Sequence, residues 1–416
     1  MCAHHGLQKI KLYRAPALYL LAIVLGILSG LSDIAALQSF GILISDIFIK
    51  IFKCISMPII ALSLIVTVSS YNAAVGMQSV WQRTLFYTVS TTIVAAAVSC
   101  GLYLLIQPSN VQLLMEGAPV VATPVAGSYS QHLLNMLPSN IFSPFLEHQV
   151  MGVLLIGIIV GIGIRYIKEE EPRKEMVNFF KGAHGLFLAI TTGVVAIIPI
   201  GLYGFITATV VQLREGMDLQ GIGEYLLIVV LANMVQGFVI LPLWLKVNHI
   251  RPFVTMRAML PALSLAFFSK SSAGTLPITM ATAEKNLQIN PHISRFVLPF
   301  CTSINMNGCA AFIFTTVIYL MQNHGIEITL GTMVLWIFIA TIAAVGNAGV
   351  PMGCFFLSAS LLASMNVPIV LLGIILPFYS LIDMVETSLN VWSDACVATV
   401  VNDKVRLEGL RLQEET

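Results

Sequence analysis

The sequence predicts an all-α polytopic membrane protein: eight transmembrane helices and two re-entrant helical hairpins. Three observations predict it. Hydrophobic residues make up 57% of the 416 residues and charged ones only 10%, with a mean hydropathy of +0.89; soluble domains carry about 25% charge. Apolar runs of bilayer-crossing length recur along the chain. Two further apolar stretches are interrupted midway by small residues, as a chain that reverses inside the membrane requires.

A spanning helix needs about 20 apolar residues. Runs at 15–33, 39–70, 84–107, 147–167, 185–212, 223–246, 294–321 and 367–401 qualify. The first lacks a small-residue cleavage site and reads as a retained span, not a signal peptide. The loop 107–140 contains Pro, Ser and Gly without Lys or Arg, and reads as a flexible outside loop. KEEEPRKE at 168–175 reads as a solvated cytoplasmic turn or helix start. The interrupted stretches are 253–284, broken by KSSAGTLP at 270–277, and 332–365, broken by GNAGVPMG at 346–353. If the chain reverses there, each arm crosses about half a bilayer. Non-helical backbone at that depth is tolerated only against protein or water, and paired interruptions point to a transporter's central site.

Charge sets the orientation. With both termini inside, the inside segments hold seventeen Lys and Arg and the outside segments only Arg214, a strong positive-inside bias. The net charge of +1 and the lack of a basic surface give no argument for a nucleic-acid partner. Seven cysteines without a CxxC pair read as free, packed residues, and eight scattered histidines show no metal spacing. HExxH is absent, and Lys270 beside Ser271 or Ser272 is the only candidate dyad, so no enzymatic activity is expected. The polar residues after 403 read as a cytoplasmic tail.

The last apolar span carries the strongest functional signal. Leu381–Val401 reads LIDMVETSLNVWSDACVATVV. On a helix, Glu386, Thr387, Asn390 and Asp394 all fall within about 60° of Asp383, so the five share one face about 100° wide. Three carboxylates cannot face lipid at several kcal/mol each, so this face must line a polar interior. Three other motifs supply partners. KSSAGTLPITM reads either as a kinked helix with back-bonded serines or as a tip whose N–H groups and hydroxyls meet an anionic group. SINMNGC at 303–309 reads either as an interhelical hydrogen-bond patch or as an unwound turn whose oxygens bind a cation. GNAGVPMG reads either as an ordinary loop or as a tight tip that approaches a ligand closely. Tyr87, Ser90 and Thr91 on the third span are either self-satisfied hydroxyls or part of the same interior. Converging hydroxyls, amides, carboxylates and broken backbone predict a small polar solute site with cation coupling.

In that order and spacing, SSAGTLPITM, SINMNGC, GNAGVPMG and LIDMVETSLNVWSD resemble the dicarboxylate/amino acid:cation symporter, or glutamate-transporter, family, whose patterns are SSSGTLP, NMDGT, Gly-Thr-Ala-Gly-Val-Pro and D-M-G-R-T-x-x-N-V-x-x-D. The likeness runs from about Lys11 to Asp403 and includes the MPI stretch at Met57. It implies a homotrimer in the plasma (cell inner) membrane and an elevator mechanism. A scaffold at about 15–71 and 147–212 would hold a transport domain at about 84–107 and 223–402, with the second hairpin as outer gate. It implies that Asp383 binds a substrate ammonium, that Ser271, Ser272, Val350 and Gly353 at the hairpin tips hold its carboxylate, and that Thr387 and Asn390 also touch substrate. Sodium sites would fall at Asn305, Asn390 and Asp394, at Tyr87, Ser90, Thr91 and Asn307, and at backbone around Ala348, Gly349 and Val350. No cofactor is implied beyond sodium, with protons as a further coupling ion.

The departures bear on the solute. Glu386 stands where acidic-substrate members carry an arginine that clamps the side-chain carboxylate. Asn307 replaces the motif aspartate, Cys309 the threonine, and Ser380 a usual aspartate; Asn347 and Met352 alter the gate. Three readings of Glu386 compete: it binds a basic or polar substrate side chain, it pairs with Lys270, or it carries a coupling proton. The expectation is a neutral or basic amino-acid symporter. The alternatives are an acidic or C4-dicarboxylate symporter that uses Lys270, and a solute-gated anion channel or receptor.

Overall fold

The computed structural model describes residues 20–69, 78–111, 140–146, 150–214, 220–345, 352–365 and 370–414, with single positions 18, 138, 347 and 367. These residues are helical and form no strands. Most of the loop expected at 107–140 lies outside them.

Helix α1 (Leu20–Leu31) precedes α2 (Ala35–Ser69), and α3 is Gln78–Ile106. Helices α4 (Val150–Arg165), α5 (Glu170–Ala196) and α6 (Ile198–Arg214) pack on α2. The span expected at 185–212 is therefore two helices that meet at Ile197. Pro199 explains the break, since it cannot donate to the carbonyl a turn earlier and its ring crowds that turn. The charged stretch at 168–175 starts α5, and Lys174 and Glu170 pair across one turn at 2.7 Å.

Helix α7 (Gln220–Val235) runs into a π-helical turn, Gln236–Ile240, and on into α8 (Leu241–Val247). The first interrupted stretch is a hairpin. Helix α9 (Pro252–Ser269) ends at Lys270, whose φ of 55° is left-handed, and α10 (Ser272–Asn286) packs back against α9. At 18 and 15 residues the arms are about 27 and 22 Å long, longer than the half-bilayer arms expected. The first arm holds Arg257 in its second turn, and such a charge belongs at the water interface. The arm thus begins outside the hydrocarbon.

Helix α11 (Pro291–Ile304) and helix α12 (Asn307–Asn323) are separated by Asn305 and Met306, with φ/ψ of −93/65° and −101/66°. The expected unwound turn is there. Every residue of α12 from Asn307 to Met321 is buried. A helix apolar all round belongs inside a protein, and α12 is enclosed by α3, α7, α13 (Leu330–Val345), α14 (Gly353–Ser364) and α15 (Val370–Glu414). Helices α13 and α14 are the arms of the second interrupted stretch. Helix α15 continues to Glu414, so the expected tail is a helical extension of the last span.

Among the described residues, four helical stretches, Ser79–Ile106, Gly221–Val247, Pro252–Ser269 and Pro291–Asn323, are long and apolar enough to cross a membrane. Large apolar side chains such as Leu28, Leu105, Phe179 and Phe268 point outward, as a lipid-facing surface requires.

Two apolar cores organise the interior. One gathers α12, α14 and the start of α15 through Ile382; the other gathers α9 to α11 and α15 from Leu389 onward. Asp383, Glu386 and Thr387 fall between them on α15, and the Asn305 break falls between them on α11 and α12. The polar groups therefore collect where the two cores meet.

Candidate functional site

The broken helix gathers the residues expected to hold a cation. The departure of Asn305 and Met306 from helical φ/ψ interrupts the ladder of backbone bonds, and the Gly308 N–H turns to Asn390 Oδ1. The Asn305 side-chain amide nitrogen donates to Ser393 Oγ (2.9 Å) and Asp394 Oδ1 (3.0 Å), and its Oδ1 accepts from Thr91 Oγ1 (3.1 Å) and Asn307 Nδ2 (2.9 Å). Asn307 Nδ2 also donates to Ser393 Oγ at 2.9 Å. Thr302 Oγ1 donates to the second oxygen of Asp394 at 3.3 Å. The acceptors are hard oxygens, and the hydrogen bonds each amide makes fix which side carries its oxygen. Such donors suit a monovalent cation, as in other broken-helix transporters.

The third span reaches this cluster through Thr91. Ser90 and Thr91 hydroxyls donate back to the Tyr87 carbonyl at 3.1 and 2.9 Å. The Tyr87 ring packs on Trp244 with centroids 5.4 Å apart, so Tyr87 presents its carbonyl, not its hydroxyl, to this corner.

One turn earlier on α15 lie the residues expected to meet the solute. Asp383 is 4% exposed and accepts the Met352 N–H at 3.2 Å, which ties the second hairpin to α15. Glu386 is 1% exposed; its Oε2 accepts from Tyr379 Oη at 3.4 Å, and its Oε1 has no partner. Phe312 and Phe355 pack on the Tyr379 ring, at 4.8 and 5.3 Å. Asn390 Oδ1 accepts the Gly308 N–H at 2.8 Å. Thr387, Ser272 and Gly353 are buried.

Gly308 lets these walls meet. A Cβ there would lie 2.8 Å from Glu386 Cα, 3.0 Å from Glu386 Cβ and 2.9 Å from Asn233 Oδ1. Only a residue without a side chain allows α12 to approach α15 so closely.

Ser271 Oγ caps α10 by accepting the Gly274 N–H at 3.0 Å. Lys270 Nζ donates to Ser380 Oγ at 3.1 Å and acts electrostatically on Asp383. Among the described residues Lys270 and Glu386 form no ion pair, because the left-handed Lys270 directs its chain toward Ser380. Ala348, Gly349 and Val350 lie outside the described residues. The cysteine expectation is corrected: Cys309 on α12 and Cys354 on α14 are joined as a disulfide across 45 residues, with Cα atoms 5.4 Å apart. Cys54, Cys100, Cys301 and Cys396 are free.

Sequence reasoning missed one wall. Gln236, in the π turn, donates from Nε2 to Asn307 Oδ1 (2.7 Å) and to the Thr91 carbonyl (3.2 Å). Asn233 lies one turn earlier, and both side chains are buried. π turns gather at functional sites. The signal was available, because Asn233 and Gln236 stand three apart in an otherwise apolar span. The Cys309–Cys354 meeting was signalled too: NMNGC and VPMGC both end in Gly-Cys beside the motifs that converge.

An all-helical body with buried carboxylates, amides and hydroxyls gathered at a broken helix fits a membrane transporter. Residues 16–404 match the Sodium:dicarboxylate symporter family, and the chain belongs to it. The chain is similar to a protein named Neutral amino acid transporter B(0) from Oryctolagus cuniculus, 27% identical over 84% of this chain and 71% of that one. It is also similar to the Putative sodium-dependent excitatory amino acid transporter glt-4 of Caenorhabditis elegans, 26% identical over 86% and 81%. Neutral amino acid transporter A of Homo sapiens is 24% identical over 95% and 84%.

Proposed function

We propose that the chain is a sodium-coupled amino-acid symporter that favours neutral or basic solutes over acidic ones. The observation that carries this is the buried Glu386 carboxylate with an unpartnered Oε1, one helical turn from Asp383. Asp383 receives the solute's ammonium. Glu386 offers an acceptor to a polar or cationic side chain and repels a second carboxylate. The relatives' names, neutral in most and excitatory in one, support amino acids as the class.

Sodium occupies the oxygen cluster around Asn305, Thr91, Asn390 and Asp394, with backbone at Ala348 to Val350 as a further position. Asn307 in place of an aspartate lowers the site charge and changes the sodium-to-solute ratio; protons are the second candidate coupling ion. Helices α2 and α4 to α6 act as scaffold, in a homotrimer, and the remainder from α3 onward slides. The second hairpin gates the solute from outside, and both termini face the cytoplasm. The packing of α4, α5 and α6 on α2 supports that division.

The test is uptake of every amino acid and of C4 diacids into proteoliposomes, with and without sodium, by the wild type and Glu386→Arg. Neutral or basic uptake against a gradient is expected, with acid uptake gained in the variant. Aspartate uptake equal to the best neutral solute would overturn the assignment. The acidic alternative rests on Lys270, whose ammonium donates to Ser380 Oγ; it requires Lys270→Ala to abolish acid uptake.

A further inference from the structure

We propose that Cys309, Cys354 and Glu386 form a binding site for a thiophilic divalent cation such as Zn2+ when the two sulfurs are in the dithiol form. This goes beyond the transport reading and stands whichever solute is carried.

One sulfur from each Cys and one Glu386 oxygen all lie within 4.8 Å of one another, and all three residues are buried. A tetrahedral zinc ion, with bonds of about 2.3 Å to sulfur and 2.0–2.2 Å to oxygen, holds its ligand atoms about 3.3–3.8 Å apart. Small side-chain rotations bring the three groups to that spacing. Glu386 Oε1 has no partner. Asn347, also buried, turns its Nδ2 to both sulfurs at 2.8 and 3.4 Å and leaves its Oδ1 without a partner. A flip of that amide puts a carbonyl oxygen in the fourth position. Asn390 Nδ2 also donates to Cys309 Sγ, at 3.4 Å. Two unpartnered oxygens and two adjacent sulfurs in one buried corner form a donor set short of a cation.

The set is selective by chemistry. Thiolates favour zinc and its congeners, whereas sodium, magnesium and calcium prefer all-oxygen sites. It is therefore distinct from the oxygen cluster at Asn305. In the oxidised state a thiol reductant must act first: two reductant thiols break the S–S bond, leaving two S–H groups on the protein and one disulfide between reductants. Cation binding then forms two metal–sulfur bonds and sends the two S–H protons to water. The bound ion would fasten α12, α14 and α15 together beside Asp383.

The test uses purified full-length protein, kept reduced by a phosphine, titrated with Co2+ alone. A thiolate-to-cobalt charge-transfer absorption saturating near one equivalent is expected. It should vanish on addition of Zn2+, be lost in Cys309→Ser and in Cys354→Ser, persist in Cys301→Ser, and need at least tenfold more Co2+ in Glu386→Gln. Should a serine variant fail to fold, the wild type carries a second readout: oxidising the pair to the disulfide must abolish the absorption. No absorption from wild type whose two thiols are free by alkylation and peptide mass spectrometry overturns the site. So does absorption that survives either serine change or the oxidation. Because the readout is optical, failure here is distinct from failure of the transport assignment.

Discussion

Gly308→Ala tests whether the contact of α12 with α15 sets cation affinity. The added methyl would sit 2.8 Å from the Cα of Glu386, where ordinary carbon contacts are about 3.5–4.0 Å. A backbone atom of a buried helix cannot swing aside, so α15 must retreat by about 0.7–1.2 Å. Overpacking of this kind costs about 1–3 kcal/mol. The retreat also stretches the Gly308 N–H to Asn390 Oδ1 bond, now 2.8 Å. A buried N–H left unpaired costs about 1–3 kcal/mol. The two penalties share one displacement and do not simply add. A loss of about 2–4 kcal/mol at the site corresponds to about 30- to 1000-fold in affinity. The assay is sodium-dependent solute binding to purified, monodisperse protein. The half-saturating sodium concentration should rise by about 30-fold or more. Sodium and solute affinities within threefold of wild type would refute the reasoning.

Other outcomes follow from the same network. Ser393→Ala strands two buried amide N–H groups, from Asn305 and Asn307; sodium titration should show binding weaker by about 10- to 100-fold. Gln236→Leu removes the donor to Asn307 Oδ1 and should alter the sodium-to-solute flux ratio while the variant still runs as a folded peak on size exclusion. Glu386→Gln keeps the shape but removes the carboxylate. If Glu386 is ionised, at about 4 Å and an effective dielectric of about 20 it repels a second carboxylate by about 4 kcal/mol, and competition by aspartate against a neutral solute should strengthen by up to about a thousandfold; unchanged competition assigns Glu386 to the neutral, proton-carrying form.

Helix identity and the break at Asn305 were legible because composition and hydropathy dictate spans, and because Ser303, Asn305, Asn307 and Gly308 are poor helix formers in sequence. The shared face of Asp383, Asn390 and Asp394 was legible from helical geometry alone. The split at Ile197 was not, since a proline within an apolar run marks a break only once its neighbours are placed. Nor was the direction of Lys270: its left-handed backbone sends the ammonium to Ser380 rather than Glu386, and nothing in a list of residues encodes that turn. The Gln236 wall was overlooked because two amides in a long apolar span resemble ordinary interhelical hydrogen bonds until the π turn swings one of them inward.

The π turn has one more consequence. It leaves the Gly237 carbonyl available, and the Trp392 indole N–H takes it at 3.1 Å. Trp392 is buried and adjoins Ser393 and Asp394 in the chain. Its polar atom is therefore committed to the π turn, while the next two side chains, Ser393 and Asp394, bond to Asn305. Any shift of one against the other changes the electric field at the indole ring. The molecule carries its own fluorescent gauge at the point where ion occupancy would become motion.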